Sequence, residues 1–128
     1  MERGDREGSA RARAGLGLAR VARGESLEAR PLLERVLAEL PPGDPHWGRV
    51  ALALAEARLA LDELEPAEKL WRQVEEQSRM TQAQGVLGEA LLGRALCELC
   101  RMEQRRALDH LTEAEDLLRA AGAEKVTR

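Results

Sequence analysis

The sequence predicts an all-α protein made of three helical hairpins in series. Three observations carry that expectation. Leu and Ala supply 43 of the 128 residues, while the chain has two Trp, no Phe and no Tyr; Leu and Ala favour helix, and strands draw on the β-branched and aromatic residues missing here. Segments of helical apolar periodicity are interrupted by short breaks, the strongest being Pro41-Pro42-Gly43-Asp44-Pro45. An apolar pattern also recurs at a fixed spacing of 38 residues, the signature of a helical-repeat protein.

Six helical segments follow in order. Residues 1–8 hold only charged residues and glycine after Met1 and read as a flexible tail. The first helix is expected over 9–23, ending at Gly24, a residue suited to a helix C-terminus. The second is expected over 27–40, stopped by Pro41-Pro42-Gly43-Asp44-Pro45. Pro31 requires either that this helix start nearer Glu28, with the proline in its first turn, or that it kink. The third is expected over 46–61. The fourth runs from Glu65, with Pro66 in its first turn, to Gln77. The fifth is expected over 81–100 and the sixth over 104–121, where Gly122 ends it and residues 122–128 read as a second flexible tail. The turns near 24–26, 62–64 and 101–103 are short, and short turns make antiparallel neighbours. The organisation is then one repeat domain over 9–121, divided at about 9–43, 44–80 and 81–121.

The repeat is visible residue by residue. Leu16-Gly17-Leu18-Ala19 is followed at 38-residue intervals by Leu54-Ala55-Glu56-Ala57 and Leu92-Gly93-Arg94-Ala95. In the second helices, Ala29, Leu33 and Val36 are matched by Ala67, Trp71 and Val74, then by Ala107, Leu111 and Ala114 after two extra residues. Small residues let paired helices approach closely, and larger ones four and seven positions on fill the core from the same face. A single hairpin cannot bury its apolar stripe, but three stacked ones can.

Leu92-Gly93-Arg94-Ala95 with Ala107, Leu111 and Ala114 resembles the tetratricopeptide repeat, as do Leu16-Gly17 with Ala29, and Ala55 with Ala67 and Trp71. The resemblance spans residues 9–121 and is to the longer variants of the family. It departs from the family pattern at Arg13, Ala51 and Glu89, where aromatics are usual, and in keeping a turn glycine only at Gly24, with Cys100 standing at that position in the third repeat. It implies a right-handed α-solenoid whose first helices line a concave, partner-binding face. The implied groove residues are Arg11, Ala14, Leu18 and Val21, then Arg49, Leu52, Glu56 and Leu59, then Leu87, Ala90, Arg94 and Cys97. Of these, Arg11, Leu18, Arg49, Leu52, Glu56, Leu59 and Arg94 are the expected partner-binding set. The floor is apolar and the chain has no Asn, so a clamp for a C-terminal carboxylate is not expected; an amphipathic helix or apolar peptide suits the groove better.

Catalytic readings are weak. Cys97-Glu98-Leu99-Cys100 lies near the end of a helix, the wrong pole for lowering a thiol pKa, and has no second pair to complete a zinc site. His110 and Glu113 could offer two metal ligands where several are needed, and His46 stands alone. Ser9, Ser26 and Ser78 lie in no nucleophile motif, and phosphate-binding loops are absent. No enzyme activity, cofactor or metal is expected. A net charge of −3 gives no footprint for nucleic acid, and Val50–Ala55, the longest apolar stretch, is too short to cross a membrane. The N-terminus lacks a signal-peptide core, and 18 Arg against 2 Lys points to high-GC bacterial coding, so the cytoplasm is the expected compartment. Trp47 breaks the repeat pattern, whose equivalents are Ser9 and Gly85, and if half exposed it would be a binding hot spot. The expected function is a protein-interaction scaffold for a peptide or helix of a partner protein. The alternative is an oligomerisation or spacer segment of a larger bacterial regulatory protein, with a homodimer filling the groove. Leu108, Leu117 and Ala121, off the main apolar face of the last helix, point to continuation into further repeats or self-association through that end.

Overall fold

The structure is a computed structural model that describes the backbone of residues 2–41 and 43–127 and the side chains of 11–41 and 43–122. It contains six α-helices: α1 (Glu2–Ala22), α2 (Ser26–Glu39), α3 (Trp47–Ala60), α4 (Leu64–Thr81), α5 (Gln84–Cys100) and α6 (Gln104–Thr127). The described residues include no strand. None of the helices is long and apolar enough to cross a membrane, judged over the described residues. The terminal helices extend beyond the expected 9–23 and 104–121. The segments read as tails, 1–8 and 122–128, are thus largely helical in backbone, while the side chains of 1–10 and 123–128 lie outside the described residues. Helix α4 also runs four residues past Gln77, leaving Gln82 and Ala83 between it and α5.

Contacts divide the chain into two compact units, Met1–Ala67 and Glu68–Arg128. In the first, α1, α2 and α3 pack against one another. Ala29, Leu33 and Val36 of α2, spaced four and three apart, are fully buried. Helix α3 is buried on nearly every face, through Val50, Ala51, Ala53, Leu54, Ala55 and Ala57. Gly17 of α1 lies against Leu33, and a Cβ there would fall 2.6 Å from Leu33 Cδ2. Pro31 is the sixth residue of α2, beyond the first turn where it would cost nothing. Having no N–H, it leaves the Leu27 carbonyl without its usual helical donor; Leu27 is exposed to water.

In the second unit, Leu87 and Leu91 of α5 meet Ala114 of α6, flanked by Leu92 and Leu117. Gly88 of α5 faces Leu118, whose Cγ would lie 2.7 Å from an added Cβ. Gly93 faces a different helix. The Trp71 indole of α4 lies against it, and an added Cβ would clash with Trp71 Cε2. Gly17 and Gly93, equivalent in the repeat, therefore serve different contacts: one admits the helix that follows it in sequence, the other the helix that precedes it.

The turns repeat more faithfully than the sequence does. Gly24, Asp62 and Met102 all have positive φ, at 77°, 63° and 65°. The next residue is Glu each time, and its N–H donates back to a helix carbonyl at the same 2.8 Å: Glu25 to Arg20, Glu63 to Arg58 and Glu103 to Glu98. This six-to-one bond closes a helix end around a left-handed residue. The third turn position is therefore Met102. Cys100, expected there from alignment with the turn glycine, is the last residue of α5.

Charged pairs repeat as well. Arg30 Nη1 donates to Glu63 Oε2 at 2.8 Å. Thirty-eight residues on, the same two positions hold Glu68 and Arg101, which hydrogen-bond to each other with the charges exchanged.

Two substitutions test these contacts. Gly93→Ala is expected to destabilise the protein by about 1–3 kcal/mol or more, because the buried indole cannot yield to the new methyl. Gly15→Ala, in the same kind of helix but with nothing within 4 Å of its Cβ position, is expected to stabilise by roughly 0.5–1 kcal/mol. Urea unfolding of both separates a packing glycine from a merely helical one. Met102 is 77% exposed, so Met102→Gly removes left-handed strain without losing packing. It is expected to gain about 1 kcal/mol, and to gain more than Asp62→Gly, since Asp tolerates this region better than Met does.

Candidate binding cleft

The first unit carries a cleft of ≈ 870 Å³ where the middle of α1, the end of α2 and the start of α3 meet. Arg11, Arg13, Ala14, Gly15 and Leu18 supply the α1 side, and the spacing of Arg11, Ala14, Gly15 and Leu18 puts those four on one helical face. Helix α2 contributes Arg35, Val36, Glu39 and Leu40; the connection contributes Asp44 and His46; α3 contributes Arg49 and Val50. Val36 and Val50 are buried beneath the cleft, Ala14, Leu18 and Leu40 are half-buried, and Arg11, Arg35 and Arg49 are exposed at the rim. The result is an apolar floor with a cationic edge.

The cleft's own carboxylates are already engaged. Glu39 accepts from Arg13 at 3.0 Å and lies 3.9 Å from Arg35. Asp44 Oδ1 accepts the His46 backbone N–H at 2.8 Å, fixing the entry to α3. Arg11 and Arg49 make no ion pair or hydrogen bond through their side chains among the described residues.

The cleft thus brings together Arg11, Leu18 and Arg49 of the expected partner-binding set, with Ala14 beside them. Leu52, Glu56 and Leu59 share a face of α3 with Arg49 but do not line it. Arg94 lies in the second unit, where its Nη1 donates to Glu75 Oε1 at 2.5 Å. It is therefore committed to holding α5 against α4. Leu87, Ala90 and Cys97, the other groove positions of the third repeat, are buried and serve packing. Arg35, Glu39, Asp44 and His46 were not foreseen as cleft residues. They come from a second helix and a loop, and a periodicity argument about first helices has no means of selecting them.

The remaining candidates resolve into structural contacts. Trp47 is 7% exposed, so of its two readings, covering the hairpin junction or standing half exposed as a hot spot, the second is excluded; as the first residue of α3 it is packed inward. Cys97 is buried, and that burial, reinforced by the Glu68 charge, pushes its thiol up to about 11. It stays protonated at neutral pH, while Cys100 is exposed. Glu113 does not pair with His110: it accepts from Arg79 at 3.0 and 3.2 Å, and His110 Nδ1 lies 2.6 Å from Glu98 Oε1. Among the described residues no three His, Cys, Asp or Glu side chains gather as a metal site. The Ser78 hydroxyl donates to the Val74 carbonyl at 2.6 Å within its own helix. It borders a second, more polar cleft with Arg79, Gln82 and Leu117.

The buried carboxylates of the second unit give a signed pH dependence. The hydrogen bond from Arg101 holds Glu68 below its ordinary 4.5. Burial alone would raise Glu75, but hydrogen bonds from Arg94 and Arg79 outweigh it and leave Glu75 lowered from the same 4.5. Both groups are more acidic folded than unfolded. Their stabilisation is complete above the unfolded value and is lost as the pH falls through the folded values. The thermal midpoint is expected to drop between neutral pH and about pH 3. In the double variant Glu68→Gln, Glu75→Gln that drop is expected to shrink, as differential scanning calorimetry at the two pH values would record.

In comparisons with known proteins, no family model matches the chain, and no match is found among curated proteins or solved structures.

Proposed function

We propose that the protein is a non-catalytic interaction module that binds a segment of a partner protein, and that its helix pairs are antiparallel hairpins of a right-handed, tetratricopeptide-like solenoid. The cleft in the first unit is the observation that carries the binding reading. It is concave and apolar at the floor, its polar groups stand at the edge, and four of its lining residues, Arg11, Ala14, Leu18 and Arg49, are groove positions that the resemblance implies. Small-molecule and peptide sites share this arrangement of apolar walls with a few placed polar groups. The hairpin reading is supported by the order of contacts between α1 and α2. Arg13 pairs with Glu39, Gly17 packs on Leu33 and Arg20 pairs with Glu25, so positions advance along one helix as they retreat along the other. A cytoplasmic, bacterial setting accords with the Arg-rich composition.

One observation favours self-association instead. Leu96 and Leu99 of α5 are 49% and 45% exposed, and Met102 and Leu108 more so. Leu96 and Leu99, three residues apart, share a face of α5, and exposed apolar side chains are a common mark of an interface.

Light scattering across a range of concentrations separates the two. The binding reading expects the 14.1 kDa mass of one chain throughout. A doubled mass that Leu96→Glu with Leu99→Glu abolishes, and that Leu18→Glu leaves intact, would transfer the function to oligomerisation.

A further inference from the structure

We infer that the occupant of the first-unit cleft is an amphipathic helix of a partner protein carrying Asp and Glu along its flanks; this rests on the binding reading above. Three observations give the occupant its chemistry. Among the described residues the lining holds four arginines, Arg11, Arg13, Arg35 and Arg49, against two carboxylates, Glu39 and Asp44, in a chain whose net charge is −3. The two carboxylates are used internally, by Arg13 and by the α3 entry. Arg11 and Arg49 are exposed and have no partner among the described residues. A guanidinium is satisfied best by a carboxylate, which it can grip through two parallel hydrogen bonds.

The floor decides what carries those carboxylates. Ala14, Leu18, Val36 and Leu40 offer apolar surface, which a row of apolar side chains on one helix face would cover. Arg11 and Arg49 stand on two different helices, α1 and α3, an arrangement that acidic residues along the flanks of a docked helix can match. A nucleic acid is disfavoured because the described lining holds no Phe, Tyr or Trp on which a base could stack. Rim charges of this kind select partners and speed encounter more than they add affinity.

The test uses the full chain as bait for a display library of random 16-residue peptides, fused so that no free C-terminus is presented. The retained pool is expected to be enriched in Asp and Glu beside spaced Leu, Ile or Val. Raising the salt concentration is expected to weaken its binding. The variant Arg11→Glu, Arg49→Glu is expected to bind a retained acidic peptide about tenfold more weakly, and to select Lys- and Arg-bearing peptides from the same library. That gain of a new preference excludes loss of folding as the cause. A retained pool without acidic enrichment, but lost on Leu18→Arg, overturns the charge selection and leaves the binding reading standing. No retention, or retention unaffected by either variant, overturns both. Retention of a single-stranded oligonucleotide in place of peptides overturns the choice of partner.

Discussion

The fold depends on how closely its helices approach at small residues. A chain with only two aromatic side chains must fill its core mainly with Leu, Val and Ala, and such short side chains bury enough surface only when helix axes lie near one another. Gly17 against Leu33, Gly88 against Leu118 and Gly93 against Trp71 are where that condition is met. Each pairs the absence of a side chain on one helix with a bulky side chain on its neighbour. The Trp71 indole can be buried at all because Gly93 leaves room for it. Ala29, Ala67 and Ala107, all at most 1% exposed, do the same at a recurring position. The first-unit cleft lies where three of these helix segments meet.

Charge is distributed in two ways. In the second unit, arginine and glutamate are drawn into helix contacts: Arg94 with Glu75, Arg101 with Glu68, Arg79 with Glu113. Partly buried pairs of this sort do more to fix which surfaces meet than to add net stability, because desolvation offsets much of their attraction. In the first unit, Arg11 and Arg49 face an open cleft. Arginines on the first helices of the repeats thus have opposite uses, Arg94 internal and Arg11 and Arg49 directed outward. At Arg30–Glu63 and Glu68–Arg101 the repeat preserves the location of a contact while the residues that make it exchange sign.

The helical class, the number of helices and most of their boundaries were legible in the sequence, because they follow from local preference and from apolar spacing along one element. The recurrence of Ala29, Leu33 and Val36 at Ala67, Trp71 and Val74 was legible for the same reason, and all six are buried. The turns were legible only in part. Gly24 announces a left-handed residue, but Asp62 and Met102 adopt the same conformation with no glycine to mark it. There the six-to-one hydrogen bond and the packing of the flanking helices hold a backbone that local preference would not choose.

By itself, the sequence determined what could be decided along the chain: six helices and a recurring pattern of small and apolar residues along them. Only the tertiary structure decided which exposed-looking residues are free. Trp47, Leu87 and Cys97 are buried and Arg94 is held by Glu75, while Arg35, Asp44 and His46 converge with Arg11 and Arg49 on one cleft. The physical reason is that burial and ion pairing are properties of two surfaces brought together. Periodicity specifies which face of a helix is apolar, but the side chain it will meet comes from another helix and is fixed only once the helices have packed.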